Sequence, residues 1–293
     1  MKKIVLGTII SVMLTGSTFA ACSYDLDASL QDIKSWQTSS NSRFPNYPRS
    51  FELIPNINQV NQKVSGSITL LSNIPVDHYA TSKKLANFKA QYPFTDRVPS
   101  NLPFIDKPVS TTGIVGLESI IDITSLNIDM GTVKDSYEFG YSLMGSSQQK
   151  LELGLDIVYG KYNNTTVYAD GDYIHVTGGS LKPDGNGFTT LKEVERKTHK
   201  ITIPADGKIK VGIYINQSTQ QVGYIINGIN YGYLNINLQN AITSLGYSAG
   251  INQNNNTGSL LIGKSVGLQL ITDHSNMQLT YPTGAKDICG NTI

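Results

Sequence analysis

A mainly β fold is predicted by this 293-residue sequence: an antiparallel β-sandwich that follows a proline-rich N-terminal region with one or two short helices. Short runs of β-type residues, separated by Gly, Asn, Asp and Ser, recur from about residue 111 to the end. Many short strands at close spacing are typical of sandwiches and barrels. The 16 tyrosines, against one tryptophan, agree with this fold because tyrosine favours half-buried pleated surfaces.

Proline is concentrated in the first part of the chain, where eight of the 11 prolines lie between residues 45 and 108. Because proline cannot donate to a β-ladder, residues 43 to 110 are predicted to hold loops, short strands and one helix. That helix is placed in DHYATSKKLANFKAQYP, with Asp77 as its N-cap and Pro93 at its end. Another short helix is predicted in DLDASLQDIKSW from the helical spacing of its apolar residues.

The chain therefore divides into three parts: residues 1–21, a signal peptide; 22–110, an irregular region packed on the sandwich; and 111–293, the sandwich. MKKIVLGTIISVMLTGSTFAA has two lysines, a short apolar run and small residues at the cleavage positions. The run is too short to span a bilayer, and no later run is long enough. We expect an exported protein, periplasmic, outer-surface or secreted, without a transmembrane segment.

The charge balance argues against a nucleic-acid partner. Removing residues 1–21 takes away two lysines and no acid, which leaves 21 basic against 22 acidic side chains and a net charge of −1. A chain without a basic excess has little with which to neutralise a phosphate backbone.

The two cysteines, Cys22 and Cys289, lie at the ends of the mature chain. A disulfide between them would tie the termini together, as an oxidising compartment permits. Two alternatives stay open at this point: lipidation of Cys22 after cleavage at Ala21, and two free thiols. Phe19 counts against lipidation, since lipoprotein signals usually have Leu there.

Residues 208 to 236 predict a three-strand antiparallel meander. KIKVGIYIN and QVGYII each place alternate apolar residues on one face. Asn227-Gly228 supplies the positive φ angles of a tight turn before the third strand. After Tyr233 the apolar pattern shifts by one residue, which predicts a bulge or the end of the strand. One helical turn is predicted beyond it, in NLQNAITSLG.

Two motifs, VGYIING and GSLLIG, resemble those of the concanavalin A-like lectin/glucanase (laminin-G-like) jelly roll. Tyr224, Asn227 and Gly228 match a strand that ends in Y-V-N-G, and residues 260–263 match a core strand of the form L-x-I-G. The resemblance covers roughly residues 111 to 281 and implies a jelly-roll sandwich. Members of that fold include sugar binders, glucan hydrolases and protein-binding modules. The whole chain is also similar to a family of exported bacterial proteins.

GSLLIGKS also fits the P-loop pattern, but its physical context argues against phosphate binding. Residues 260–262 are Leu-Leu-Ile, which favour a buried strand over a phosphate loop. The following VGLQLITD alternates as a strand, whereas a P-loop lysine begins a helix. We expect a core strand here, followed by a turn at residues 263–265.

Jelly-roll glucanases carry paired catalytic carboxylates on one strand face, so acids at such spacing are candidate catalytic residues. Glu118 with Asp122 and Glu152 with Asp156 have the spacing to share a face. Neither pair has a third acid or the E-x-D spacing, so we interpret them as surface acids that flank strands.

Other catalytic patterns are weak. The sequence holds no G-x-S-x-G, and its S-x-x-K match at Ser147 lies in a Gly/Ser/Gln loop. His78, His175, His199 and His274 are scattered, with no pair at metal-ligand spacing. We expect each of them to be a surface or hydrogen-bonded histidine.

Asp170 and Asp172, with Asp184 and Asn186, are candidate oxygen ligands for Ca²⁺ in YADGDY and KPDGNGF. The alternative is that they only build turns, since Asp-Gly and Asn-Gly form hairpins on their own account. The favoured interpretation is the turn, and no cofactor is expected; calcium at these residues is the open alternative.

One aromatic segment, SWQTSSNSRFPNYPRSF, suggests a ligand contact surface. It gathers Trp36, Phe44, Tyr47 and Phe51 with Arg43 and Arg49. Aromatic faces stack on sugars or peptides, so Trp36 and Tyr47 join Asp170 and Asp172 as candidate ligand-binding residues. The alternative is that these rings pin a long loop onto the sandwich.

Together these observations predict an exported, non-catalytic binding protein of the cell envelope that recognises glycans or another envelope component. One alternative is a glycoside hydrolase or lyase with an atypical acidic site, which would place two acidic side chains in one cleft. The other is an adhesin or surface-structure subunit, which the turn-rich, cysteine-containing C-terminus does not favour.

Overall fold

Two β-sheets lie face to face across a shared hydrophobic core in a computed structural model of the chain. The structure describes residues 22–43, 50–55, 58–60, 63–69, 76–93, 98–129, 131, 135–253 and 260–293. The predicted signal peptide lies outside the described residues, as do Phe44, Tyr47 and Arg49.

Sixteen strands and two α-helices make up the described part of the fold. The strands are β1 (Ser50–Leu53), β2 (Asn58–Val60), β3 (Lys63–Thr69), β4 (Val76–Thr81), β5 (Lys107–Pro108), β6 (Ile114–Asp122), β7 (Asp135–Ser146), β8 (Leu151–Asn163), β9 (Gly171–Pro183), β10 (Thr189–Ile201), β11 (Lys208–Asn216), β12 (Gln221–Ile226), β13 (Ile229–Tyr233), β14 (Ser244–Gln253), β15 (Ser265–Ile271) and β16 (Ala285–Lys286). The helices are α1 (Leu30–Arg43) and α2 (Lys83–Gln91).

The first sheet has the order β1-β4-β14-β7-β8-β9-β10, and β5 pairs with β14. The second sheet has the order β13-β12-β11-β6-β15-β3-β2, and β16 pairs with β6. Among the described strands, only the β1–β4 and β16–β6 pairs are parallel. The predicted class, a mainly antiparallel β-sandwich with two short helices, is confirmed.

Strand alternation decides which side chains enter the core. The inward residues of β7 are Tyr137, Phe139, Tyr141 and Leu143. Each large apolar side chain buried there contributes roughly 1.5–3 kcal/mol. The residues between them are small or polar and lie on the outer face of the first sheet.

Both helices pack on the outer side of the first sheet, near β1 and β4. Ile33 and Trp36 of α1, Ala86 of α2 and Phe51 of β1 form one buried cluster. The start of α1 is fixed by Ser29, whose hydroxyl and backbone N–H both bond to the Asp32 carboxylate.

The predicted start of the second helix is wrong. Residues from Asp77 to Thr81 belong to β4, which is hydrogen-bonded between β1 and β14. The helix begins at Lys83, and its N-cap is Ser82, whose hydroxyl accepts from the Leu85 backbone N–H at 3.0 Å. Two neighbouring strands satisfy the backbone of β4, and this tertiary pairing overrides the helical spacing of its side chains. The helix ends at Gln91, just before Pro93, as predicted.

The predicted meander is confirmed as β11, β12 and β13. Asn227 and Gly228, with φ of 48° and 86°, form the tight turn between β12 and β13. The register shifts between Gly223 and Ile225, and β13 ends at Tyr233, where the apolar pattern changes phase.

Two other predicted elements differ. Residues 237–243 form no helical turn; they close one end of the sandwich as an extended loop that buries Leu238 and Ile242. Leu260–Gly263 form a turn rather than a core strand, with the Lys264 N–H bonded to the Leu261 carbonyl at 3.0 Å. The Leu261 side chain is buried although its backbone forms a turn and not a strand. Ser265 begins β15 and not a helix, which agrees with the rejection of a P-loop.

Cys22 and Cys289 form a disulfide, and their Cα atoms lie 5.6 Å apart. The first of the three cysteine alternatives is therefore confirmed. The C-terminal segment crosses the outer face of the second sheet, where the Tyr281 ring packs over Gly116 and Gly212.

The predicted boundary at residue 110 stays a prediction. Strands before it hydrogen-bond to strands after it in both sheets, through β4 with β14 and β3 with β15. Within the described ranges, neither helix has the length and apolar character needed to cross a bilayer.

Candidate functional site

A cleft of about 420 Å³ lies on the outer face of the first sheet. Outward residues of β7, β8 and β14 form its floor, and α1, α2 and the loop between β8 and β9 form its walls. From Tyr79 on β4 to Arg196 on β10 it crosses five strand spacings. At about 4.8 Å per spacing, the cleft extends about 24 Å along the sheet.

The floor is deep because its central residues are small. Gly140, Ser142, Ser248 and Gly250 line it. At Gly140 no larger residue fits, since a Cβ atom would lie 1.9 Å from the Ile157 carbonyl oxygen.

One wall combines aromatic rings with a lysine. The Trp36 ring centroid lies 4.4 Å from that of Tyr79 and 5.4 Å from that of Phe51. The Lys89 Nζ lies 5.9 Å from the Trp36 ring centroid, within the range of a cation–π contact. Burial lowers the pKa of Lys89, and the negative charge of Asp156 opposes that shift.

The opposite wall holds a chain of four hydrogen-bonded side chains. The Tyr162 hydroxyl lies 2.9 Å from His175 Nε2, and His175 Nδ1 lies 3.0 Å from Thr198 Oγ1. The Tyr162 hydroxyl also donates to the Glu138 carboxylate. The Tyr168 ring, from the loop between β8 and β9, lies 4.6 Å from the Tyr162 ring centroid. We call Thr198, His175, Tyr162 and Glu138 the relay.

The relay has a defined direction of proton donation. A hydroxyl has one hydrogen, and that of Tyr162 goes to Glu138, so His175 Nε2–H donates to the Tyr162 oxygen. His175 Nδ1 then accepts from Thr198. Burial lowers the pKa of His175, which favours the neutral imidazole that this arrangement requires. Burial and the bond to Glu138 raise the pKa of Tyr162, so its phenol stays protonated.

Two carboxylates, Glu138 and Asp156, lie in the cleft, but they are far apart. Glu138 lies opposite Gly160, whereas Asp156 lies opposite Ser142, so the two acids are separated by four residues along paired strands. That is about 13 Å at 3.3–3.4 Å per residue. Glycosidases hold their carboxyl groups about 5–9.5 Å apart, so this arrangement does not favour two-carboxylate hydrolysis.

The surface interpretation of the paired acids is wrong for Glu118 and Glu152, which are fully buried. Glu118 accepts two backbone N–H bonds, from residues 278 and 279. Glu152 lies 3.7 Å from the Lys150 ammonium and accepts from the Asn240 amide. Loop donors compensate both charges, and no sequence pattern shows which loops will reach them.

Of the predicted ligand contacts, Trp36 lines the cleft. Tyr47 lies outside the described residues. Asp170 and Asp172 do not line the cleft: Asp170 accepts from the Asn164 N–H at 2.6 Å, and Asp172 accepts from the Tyr159 hydroxyl at 2.6 Å.

The predicted calcium ligands serve local structure. Asp172 also lies 3.4 Å from the Lys161 ammonium, and Asp184 accepts the N–H groups of Asn186 and Phe188. These bonds support the turn interpretation, and calcium binding stays an untested alternative.

Two other donor sets occur among the described residues: Cys22, Asp287 and Cys289, whose thiols are joined in the disulfide, and Asp273, His274 and Asp287, whose ligand atoms lie within 4.8 Å of one another. Asp287 accepts five bonds there, from the backbone N–H groups of His274, Cys289 and Asn291, from the Asn291 side-chain amide and from the His274 ring Nδ1. These hydrogen bonds indicate that the cluster stabilises the C-terminal loop.

Sequence reasoning missed Lys89, Glu138, Tyr162 and Arg196, and it treated His175 only as a hydrogen-bonded residue. A usable signal existed for His175, a polar residue between the core residues Ile174 and Val176 of one strand. It indicates a side chain on the outer face. It does not indicate which side chains of β7, β8 and β10 lie beside it, because that depends on register.

Comparison with known proteins adds a family. Residues 3–291 match the family described as "Domain of unknown function (DUF4882)". The chain belongs to the DUF4882 family. No curated protein matches it in sequence.

Solved structures show distant likenesses to this DUF4882 chain. Porphyranase B from Zobellia galactanivorans is 11% identical, with a TM-score of 0.41, over 75% of this chain and 78% of that one. An endo-1,3-beta-glucanase from Streptomyces sioyaensis is 9% identical, with a TM-score of 0.39, over 72% and 76%. Alginate lyase AlyC3 is 8% identical, with a TM-score of 0.35, over 71% and 72%. Likeness at this level is not evidence of shared function.

Proposed function

We propose that the cleft binds a saccharide chain. The observation that supports this best is the joint presence of aromatic rings and hydrogen-bonding groups in one trough of about 420 Å³. Tyr168 offers a partly exposed ring on one wall, Trp36 lines the other with its largely buried ring, and side chains of both charges lie between them. Sugars present apolar C–H faces and many hydroxyls, so a site for them needs both kinds of group.

The shape of the cleft supports a chain rather than a single sugar. Lining residues that span about 24 Å across the sheet leave length for several linked units. Its small floor residues, Gly140 and Ser248 among them, let a ligand approach the backbone closely.

Calorimetric titration of the folded protein tests this proposal, with neutral glucan oligomers and uronate oligomers of matched length. We expect binding by at least one class. Tyr168→Ala, which removes one ring face, should weaken it about tenfold or more. Tyr231→Ala is the matched control, since Tyr231 is an exposed tyrosine of β13 that does not line the cleft. Binding that is absent from both classes, or equally weakened by both variants, would contradict the proposal.

A lyase is the second candidate function, and the relay is the observation that favours it. His175 and Tyr162 form a positioned proton-transfer pair in a cleft wall, the kind of device that acid–base catalysis uses. Eliminative cleavage of a uronate chain needs proton removal beside the carboxylate and protonation of the leaving oxygen. For the second task, Tyr162 would have to turn its hydroxyl from Glu138 to the leaving oxygen.

The lyase hypothesis is tested by incubating the protein with uronate polymers and following the ultraviolet absorbance of the unsaturated product. Activity that disappears in Tyr162→Phe, while binding persists, would support catalysis. If the absorbance does not rise with any polymer that binds, the lyase hypothesis is contradicted and a non-catalytic binding role is favoured.

The remaining predictions on place and partners also stay proposals. Export through the predicted signal peptide is compatible with the Cys22–Cys289 disulfide, since such bonds persist in oxidising compartments. An envelope location would bring the cleft near polysaccharides. A surface-structure subunit gains no support from the described contacts.

A further inference from the structure

Lys89 is a cation without a counter-ion inside the cleft. Within the described ranges, its ammonium has no carboxylate within 4.0 Å and no hydrogen-bond acceptor, and its contact is with the Trp36 ring. The nearby Asp156 carboxylate is engaged by the Ser142 hydroxyl at 2.5 Å. Desolvation without a partner is costly for a charged group.

Other lysines of the chain show what is missing at Lys89. Among the described side chains, five of them have a carboxylate within 4.0 Å: Lys34, Lys150, Lys161, Lys182 and Lys197. Even the buried Lys150 has Glu152, Gln239 and a carbonyl oxygen. The fold therefore supplies partners for the buried Lys150 and leaves the half-buried lysine of the cleft without one.

A second cation, the exposed Arg196, lines the far side of the cleft. It belongs to β10, and its Nε donates to Thr177 at 3.3 Å. No carboxylate lies within 4.0 Å of its guanidinium among the described side chains. Lys89 and Arg196 thus lie at opposite sides of the trough, and the two acids, Glu138 and Asp156, lie on the central strands between them.

We infer that the ligand of the cleft is an acidic saccharide whose anionic substituents pair with Lys89 on one side and Arg196 on the other. This inference rests on the proposed saccharide-binding function and names its charge class. A neutral chain would leave both cations without an anion. An anionic group at Lys89 would form a charge-assisted hydrogen bond in a desolvated setting, where such bonds are strong. Carboxylate and sulfate groups share this chemistry.

Calorimetric titrations of the full folded chain at fixed salt test the inference, with three probes of equal length: a neutral glucan oligomer, a galacturonate oligomer and a sulfated galactan oligomer. We expect at least one anionic probe to bind about ten- to hundredfold more tightly than the neutral one. The stronger of the two identifies the anionic group.

Variants at Lys89 assign the preference to this residue. Lys89→Met should abolish the preference for the anionic probe, and Lys89→Arg should retain it. Met is suitable because Lys89 is half-buried and Met keeps a long, flexible side chain there, and a melting curve checks the fold. Lys83→Met is the matched control, because Lys83 is an exposed lysine of the same helix outside the cleft.

The outcomes separate the two proposals. Neutral and anionic probes that bind equally, or an anionic preference that survives Lys89→Met in a folded variant, would overturn the inference and leave saccharide binding intact. Failure of all three probes would overturn saccharide binding itself, and the inference with it.

Discussion

Removing one hydroxyl, by Tyr162→Phe, tests whether the relay exists. This hydroxyl bridges His175 Nε2 and the Glu138 carboxylate. Glu138 is exposed and regains water when the bond is lost, so its share of the cost is small. His175 is only 8% exposed, and its Nε2–H would be left without an acceptor in a buried setting.

The expected loss of stability follows from that asymmetry. An unsatisfied buried polar group costs about 1–3 kcal/mol, so we expect the free energy of unfolding to fall by that amount. The melting temperature should fall by roughly 2–10 °C. Urea unfolding at pH 7.5 measures the change, and an unchanged denaturant slope shows that the unfolded state is the same.

A double-mutant cycle isolates the contact between the two side chains. His175→Asn removes Nε2 while keeping a polar atom near Thr198, so the cycle of Tyr162→Phe with His175→Asn should give a coupling of about 0.5–3 kcal/mol. Tyr231→Phe, on an exposed tyrosine, should change stability by less than about 0.5 kcal/mol. A Tyr162→Phe change as small as this control, with a coupling near zero, would refute the relay.

Three further predictions concern stability. Replacing both Cys22 and Cys289 by Ser opens a loop with a sequence separation of 267, so stability should fall by up to about 5 kcal/mol in guanidinium unfolding; an unchanged midpoint would contradict this. Lys150→Met leaves the buried Glu152 without its lysine and should cost about 3 kcal/mol, whereas Lys192→Met, on an exposed lysine, should cost almost nothing by the same assay. Stability should fall as pH drops below about 6.5: burial lowers the folded-state pKa of His78, His175 and His199, so the unfolded chain takes up protons first. Melting curves between pH 7.5 and 5.5 measure this, and His175→Asn should flatten the dependence; a wild-type curve that is flat would show that these histidines are not kept neutral.

Local patterns predicted the elements whose causes are local. The β11–β12–β13 meander followed from alternation and from Asn227-Gly228, since a tight turn with positive φ depends on the residues in it. The end of α2 before Pro93 is likewise a property of the backbone beside a proline.

Sequence patterns predicted the wrong element where the backbone pairs with a strand that is distant in the chain. Asp77 to Thr81 have helical spacing but pair with β14, more than 160 residues away, as the Thr81–Ser248 register shows. Leu261 is apolar and buried, yet it lies in a turn. Apolar side chains can be buried from several backbone conformations, so burial alone does not identify a strand.

The candidate site was the least predictable part. Trp36 was predicted as a ligand contact from its aromatic neighbours in sequence, and it lines the cleft. Lys89, Tyr162, His175 and Arg196 come from a helix and three strands that are far apart in the chain. No spacing in the sequence relates them.

By itself the sequence determined the β-sandwich class and the turn chemistry of the meander, and with two cysteines it allowed one intramolecular disulfide pairing. Each depends on composition or on residues that are close together in the chain. Tertiary structure alone decided the cleft, because the strand order β14-β7-β8-β9-β10 and its registers place the outward side chains of separate strands beside one another. It also placed Lys89 in the cleft without a counter-ion among the described side chains. That environment comes from side chains that are distant in the sequence.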